Sequence, residues 1–181
     1  ELIVVIAIIG VLAAILVPAM LGWVKKSKIQ AANADAKTIM TNINAGLEEI
    51  DEEGRDITLG NGWYGTISEG DGGDDGDDNG AVAEWDTVLE YVKEYSDSIT
   101  NSRYSARLQE GVVIACVARS GKYYGTYPAG LTNKNYNDAS PDGLGENPDL
   151  SDAQDYAIAQ YNDGREDDAQ LDTGDTIEPA A

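Results

Sequence analysis

The chain has no histidine, no phenylalanine and one cysteine. Without imidazole it lacks the usual general base near neutral pH and a common zinc ligand. A single thiol, Cys116, excludes an intrachain disulfide. Cations are scarce as well: 12 Lys and Arg stand against 33 Asp and Glu, a formal net charge of −21. The imbalance is uneven, with −3 on residues 1–54 and −18 on residues 55–181. A surface that acidic repels phosphate backbones, which argues against direct nucleic-acid binding by the bulk of the chain. No Ser or Cys has an evident activating partner, and no glycine-rich phosphate loop or zinc spacing is present. Paired carboxylates are so abundant that no single pair marks a glycosidase. The chain is expected not to be an enzyme.

What is present begins at the first residue. ELIVVIAIIGVLAAILVPAMLGWVKKSK places Glu1 at the head of an uncharged run, residues 2–24. As a helix, that run spans about 35 Å, enough to cross a bilayer core. It is too long for the apolar part of a signal peptide, and no small-residue cleavage site follows it. Lys25, Lys26 and Lys28 come next, where anionic headgroups would lie. The plain reading is a membrane anchor. Two residues do not fit a plain anchor. Glu1 is a carboxylate against hydrocarbon, costly unless it sits at the interface or has a role. Pro18 removes one helical hydrogen bond and crowds the preceding turn, which loosens or kinks the helix. Gly10 and Gly22 offer points of close approach. Together these features indicate a helix that packs against copies of itself.

An acid, an apolar 16-residue run and a proline in this order resemble the N-terminal signature of type IV pilins and the related pseudopilins. Glu1 matches that family's glutamate, and Pro18 matches its helix-loosening proline. The likeness is close over about the first 25 residues and extends as a pattern along the helix that follows. Mature family members begin F-T-L-I-E, so the resemblance implies a leader and four further residues ahead of Glu1. It also implies a role for Glu1, which would neutralise the terminal amine of a neighbouring subunit during assembly. Opposite charges in an apolar bundle attract far more strongly than in water, and each alone is costly.

The implied fold is α+β: a long N-terminal helix packed on a small antiparallel sheet. Its expected parts are a transmembrane or filament-core segment at 1–24, an amphipathic continuation at 25–54 and a globular head at 55–181. The continuation has its own signal. Ile29, Ala32, Ala36, Ile39, Met40, Ile43, Leu47 and Ile50 recur every three or four residues, and Gly54 gives a stop. Asn33 and Asp35 fall mostly off that stripe.

The head reads more coarsely. DITLGNGWYGTI resembles a hairpin about a Gly-Asn-Gly turn. EWDTVLEYVKEY places Trp85, Val88, Leu89, Val92 and Tyr95 at helical spacing. A buried-type strand at 112–118, a Ser-Gly turn and a tyrosine-rich strand follow. Cys116 reads as a small core residue rather than a reactive thiol. Tyr123, Tyr124 and Tyr127 read as sheet packing rather than as a sugar-stacking face. From Pro141 onward the chain carries twelve Asp and Glu and one Arg, which indicates extended loop. A short helix near LSDAQDYAIAQY would dock through Leu150, Tyr156 and Ile158. Many family members close this region with a disulfide. This chain has none to form, so another device must hold residues 128–160.

EGDGGDDGDDNGAVAEWD offers a calcium loop of the EF-hand type. In the register that fits, Asp75, Asp77 and Asn79 supply side-chain oxygens and Gly80 the sharp turn. Ala81 supplies a carbonyl and Asp86 closes the loop at the start of a helix. Dockerin modules resemble this arrangement. Asp in place of Glu at the last position, and Ala83 at the ninth, depart from the EF-hand pattern. The competing reading is a solvated Asp/Gly loop. Calcium is thus the one candidate cofactor.

The expected function is that of a pilin, a structural subunit that polymerises through its apolar helix into a surface filament for adhesion, motility or uptake. Its partners would be further copies of itself, the pilus assembly machinery and, before assembly, the cell membrane. One alternative is a pseudopilin of a secretion or competence system, which shares the helix; the size of the head favours a pilin. A second is a membrane-anchored, calcium-dependent surface binding module, which has no need of Glu1 or Pro18.

Overall fold

In the computed structural model, described at residues 2–55, 59–67, 83–96, 99, 101–137, 143–145, 148–165 and 170–171, one long helix carries an antiparallel sheet. Helix α1 spans Leu2–Glu52, 51 residues. Strand β1 (Gly62–Gly65), helix α2 (Ala83–Tyr95) and strands β2 (Arg103–Gln109), β3 (Val112–Ser120) and β4 (Tyr123–Tyr127) follow. Helix α3 (Leu150–Asn162) comes last. The sheet order is β1-β2-β3-β4, every pair antiparallel.

The sheet is covered on both faces, and this explains why β3 shows no polar alternation. On one face lie α1 and α2, whose Ala36, Ile39, Ile43, Ile50, Trp85, Val88 and Val92 pack with Tyr104, Ala106, Leu108, Val113, Cys116 and Ala118. On the other, α3 and the chain before it bring Leu131, Tyr136, Leu144, Leu150, Ala153 and Ala157 against Ala115 and Val117. A register shift beside Leu108 adds one residue to β3 between Val113 and Ala115. That bulge explains how Val113 and Cys116, an odd number of residues apart, both face α1.

The stripe expected on α1 is the one that is buried: Ile29, Ala32, Ala36, Ile39, Ile43 and Ile50 are each under 5 % exposed. Two asparagines inside α1 add hydrogen bonds to this packing. Asn44 Nδ2 donates to Val113 O (3.0 Å) and its Oδ1 accepts from Val113 N (2.8 Å). Asn33 Oδ1 accepts from Thr126 N and Leu131 N (both 3.0 Å), and its Nδ2 donates to Leu131 O (2.7 Å). Val113 lies beside the bulge of β3, Thr126 in the edge strand β4 and Leu131 in the segment after it, so both asparagines serve backbone groups at the margins of the sheet.

Of the hairpin expected about Gly60-Asn61-Gly62, most of the upstream arm (56–58) lies outside the described residues, and the downstream run is strand β1. Gly62–Gly65 pairs with β2, with Gly62 opposite Leu108 and Gly65 opposite Ser105. Asn61 accepts from Glu110 N (2.8 Å), tying the loop to the β2–β3 turn. That turn holds Glu110 (φ 50°) and Gly111 (φ 80°), both left-handed, as a two-residue hairpin requires. Strand β2 was not anticipated from the sequence, although Tyr104, Ala106 and Leu108 alternate with Arg103, Ser105, Arg107 and Gln109.

Helix α3 opens with a capping box. Asp149 accepts from Asp152 N (3.1 Å), and Asp152 accepts from Asp149 N (2.9 Å). The backbone N–H of Asp152 holds the Asp149 carboxyl below the usual carboxylate range. Leu150, Tyr156 and Ile158 dock as expected.

Gly125 fixes how closely β4 approaches α1. A Cβ placed there would lie 2.2 Å from both the Ala32 carbonyl carbon and the Asn33 nitrogen. These are backbone atoms of the helix and cannot swing away. Gly125→Ala is expected to cost about 2–3 kcal/mol in equilibrium guanidine unfolding, by forcing the strand off the helix. An unchanged midpoint would contradict this packing.

Candidate functional site

The candidate site is the half of α1 that nothing covers. Sixteen large apolar side chains from Leu2 to Val24 are exposed, with Leu2 at 76 % and Trp23 at 75 %. Each is worth about 1.5–3 kcal/mol when buried. Leaving all of them in water costs tens of kcal/mol, more than the net stability of an ordinary domain. The segment is long and apolar enough to cross a membrane, by length and composition, and none of its apolar window is buried within the chain. Its apolar side chains point in every direction around the helix, so no single groove could cover it.

The expected assembly residues lie on this half as follows. Beyond the helix's own backbone and its chain neighbours, nothing lies within 4 Å of where a Cβ would stand at Gly10, so it leaves a notch open to a neighbour. Pro18 lies inside α1, which continues through it. Glu1 is outside the described residues. Of the expected calcium ligands, Asp75, Asp77, Asn79 and Ala81 are likewise outside them. Asp86 is exposed in the first turn of α2, at the helix start where the loop reading requires its last ligand.

The head meets the apolar half at one corner. Lys25 stands four residues before Ile29, on the stripe of α1 that faces the sheet. Its Nζ lies 5.0 Å from the centre of the Tyr136 ring. Tyr136 packs edge-on against Tyr123 (5.6 Å between centroids), and Lys122 Nζ lies 5.4 Å from the Tyr123 centroid. Tyr136 Oη accepts from Tyr124 N (3.0 Å) and donates to Lys122 O (3.3 Å), which locks the ring beneath the β3–β4 turn. Partial burial, and then the Lys122 charge, lower the Lys25 pKa from its ordinary value. This corner was not anticipated from the sequence, where Lys25 and Lys122 are 97 positions apart. Only the fold brings them together.

The tyrosines expected to pack do so in part: Tyr124 is buried, while Tyr123 and Tyr127 are half-buried. Cys116 is fully buried, and burial pushes its thiol pKa well above the ordinary value. At neutral pH it carries no thiolate and acts as a core side chain.

Neither a protein-family profile, a curated protein nor a solved structure matches this chain. What stands is the architecture: a long helix, apolar at its start, packed on a four-stranded antiparallel sheet, which is pilin-like.

Because no residue of 2–24 belongs to either buried cluster of the head, deleting residues 1–24 is expected to leave the head's unfolding free energy unchanged within about 0.5 kcal/mol. Urea denaturation followed by tryptophan fluorescence reads this, with the whole chain held in detergent for comparison. A loss above about 2 kcal/mol would mean that the segment packs on the head.

Proposed function

We propose that this chain is the structural subunit of a type IV pilus-like filament. It waits in the membrane by its apolar helix and polymerises through that helix, leaving the acidic head outside. The observation that carries this reading is the division of α1. One continuous helix has a covered stripe from Ile29 to Ile50 and no cover at all from Leu2 to Val24. A helix bundle solves that problem without a membrane, because copies can surround one another's apolar surface. Gly10 gives such a bundle a place for close approach.

The heads support the same arrangement. A formal −18 on residues 55–181 favours outward-facing, solvated heads over heads packed into a shared core. The role is structural rather than catalytic, and its partners are further copies, the assembly machinery and the membrane before assembly. The place of the finished filament is the cell surface.

In this reading Glu1 sets the register between subunits by meeting a neighbour's terminal amine. Glu1→Ala is then expected to leave membrane insertion intact and to reduce filament yield about tenfold or more, since about 1.4 kcal/mol per added subunit is a factor of ten in its binding. Membrane fractionation and quantitation of sheared filaments read the two effects separately. Normal filaments from the variant would rule out the pairing.

A further inference from the structure

The corner between the apolar helix and the head gathers cations in a molecule that has few. Lys25, Lys26 and Lys28 follow Val24 directly, and the fold adds Lys122 from the β3–β4 turn. Lys26, Lys28 and Lys122 are exposed and Lys25 is half-buried. Among the described residues, none of the four forms an ion pair. Aromatic rings interleave them: exposed Trp23 at the end of the apolar run, half-buried Tyr123 and, beneath Lys25, buried Tyr136. Aromatic rings beside lysines at the edge of an apolar span are the composition of a membrane interface.

The constraint that gives this corner a task is electrostatic. A head with a formal charge of −18 is repelled by an anionic bilayer, and a straight helix alone would let it stand off. The head is not free to choose its orientation, because Asn33 and Asn44 bind it to α1 on one side only. The β3–β4 turn therefore points toward whatever surface the apolar segment enters. We infer that the β3–β4 turn, with Lys122 and Tyr123, is a foot that docks the head on anionic phospholipid headgroups beside Lys25, Lys26 and Lys28 while the helix is in the membrane. The inference rests on the membrane-anchored stage of the proposed function and adds to it a contact made by the head itself. Leaving the membrane would then require breaking this contact, so lipid charge would oppose release of the subunit.

The test uses the full chain in vesicles. Cys116 is buried, so a cysteine introduced by Asn133→Cys, at an exposed position three residues before Tyr136, accepts a polarity-sensitive dye alone. Phosphatidylcholine vesicles are compared with vesicles that also contain phosphatidylglycerol, each with a headgroup-level or an acyl-chain quencher. The expected result is headgroup-level quenching of the dye in anionic vesicles, weakened by salt. Near an anionic surface each lysine changes the docked-to-free ratio about fivefold, so Lys122→Glu is expected to lower it by at least that factor. Trp23 is expected to be quenched in both kinds of vesicle and in both variants. Dye quenching that ignores phosphatidylglycerol and Lys122→Glu, with Trp23 still quenched, would overturn the foot and leave the anchor standing. Unquenched Trp23 would overturn both. A Lys122→Glu effect that persists in pure phosphatidylcholine and grows with protein density would assign the corner to acidic heads of neighbouring copies and overturn the lipid contact.

Discussion

A helix that is apolar on every side for 23 residues cannot be left in water, and the remaining structure follows from where that surface is hidden. The head leaves it alone. Its own core is complete on both faces of the sheet without any residue before Ile29. The molecule is therefore two solubility problems joined by one continuous helix. The covered half of α1 belongs to the fold of the head, and the uncovered half belongs to an environment supplied from outside. Pro18 sits in the outside half, so a loosened hydrogen bond there costs the head nothing.

The joint between rod and head has to be stiff, since any force on the helix reaches the sheet through it. The chain achieves this without a disulfide. Asn33 and Asn44 each grip backbone groups of the head, and Gly125 lets β4 lie against the helix backbone. Gly46 does the same for α2, whose Val92 side chain would stand 2.9 Å from an added Cβ. Residues after β4 are then held by a chain of polar contacts. Leu131 bonds to Asn33, Asn135 donates to Tyr156 Oη (2.8 Å) and Gln154 donates to Ser105 Oγ (2.9 Å). Each contact is modest, about 1 kcal/mol net, but those with buried backbone partners are costly to break.

Much of this was legible in the sequence because the governing signals are periodic. The stripe from Ile29 to Ile50, the helical spacing in α2 and the apolar run of β3 each follow from burial on one face or on two. Cys116 in the core and the docking of Leu150, Tyr156 and Ile158 follow from the same logic. What escaped depends on three-dimensional neighbours. Asn33 looks like a solvent-facing helix residue until the sheet end is placed beside it. Gly125 looks like an ordinary interruption in YYGTY until the helix backbone is found 2.2 Å from its missing Cβ. The pairing of β1 with β2, some forty residues later, is a long-range choice of partner that local pattern does not rank. Strand β2 carries a clear alternation, but its polar Ser105 and Arg107 are buried as well, so its pattern reads as half-exposed where the fold covers both faces. Of the expected ligands in the acidic loop that resembles a calcium site, only Asp86 lies among the described residues, so its chemistry stands on the sequence alone.

The central claim is that copies of this chain bury one another's apolar helices. It is tested most directly by electron cryomicroscopy of filaments sheared from cells that produce this protein, with mass spectrometry of the filament band. Thin filaments composed mainly of this chain are expected, with residues 2–24 in the core and the acidic heads outside. Protein that stays in the membrane fraction, with no filament containing it, would contradict the account.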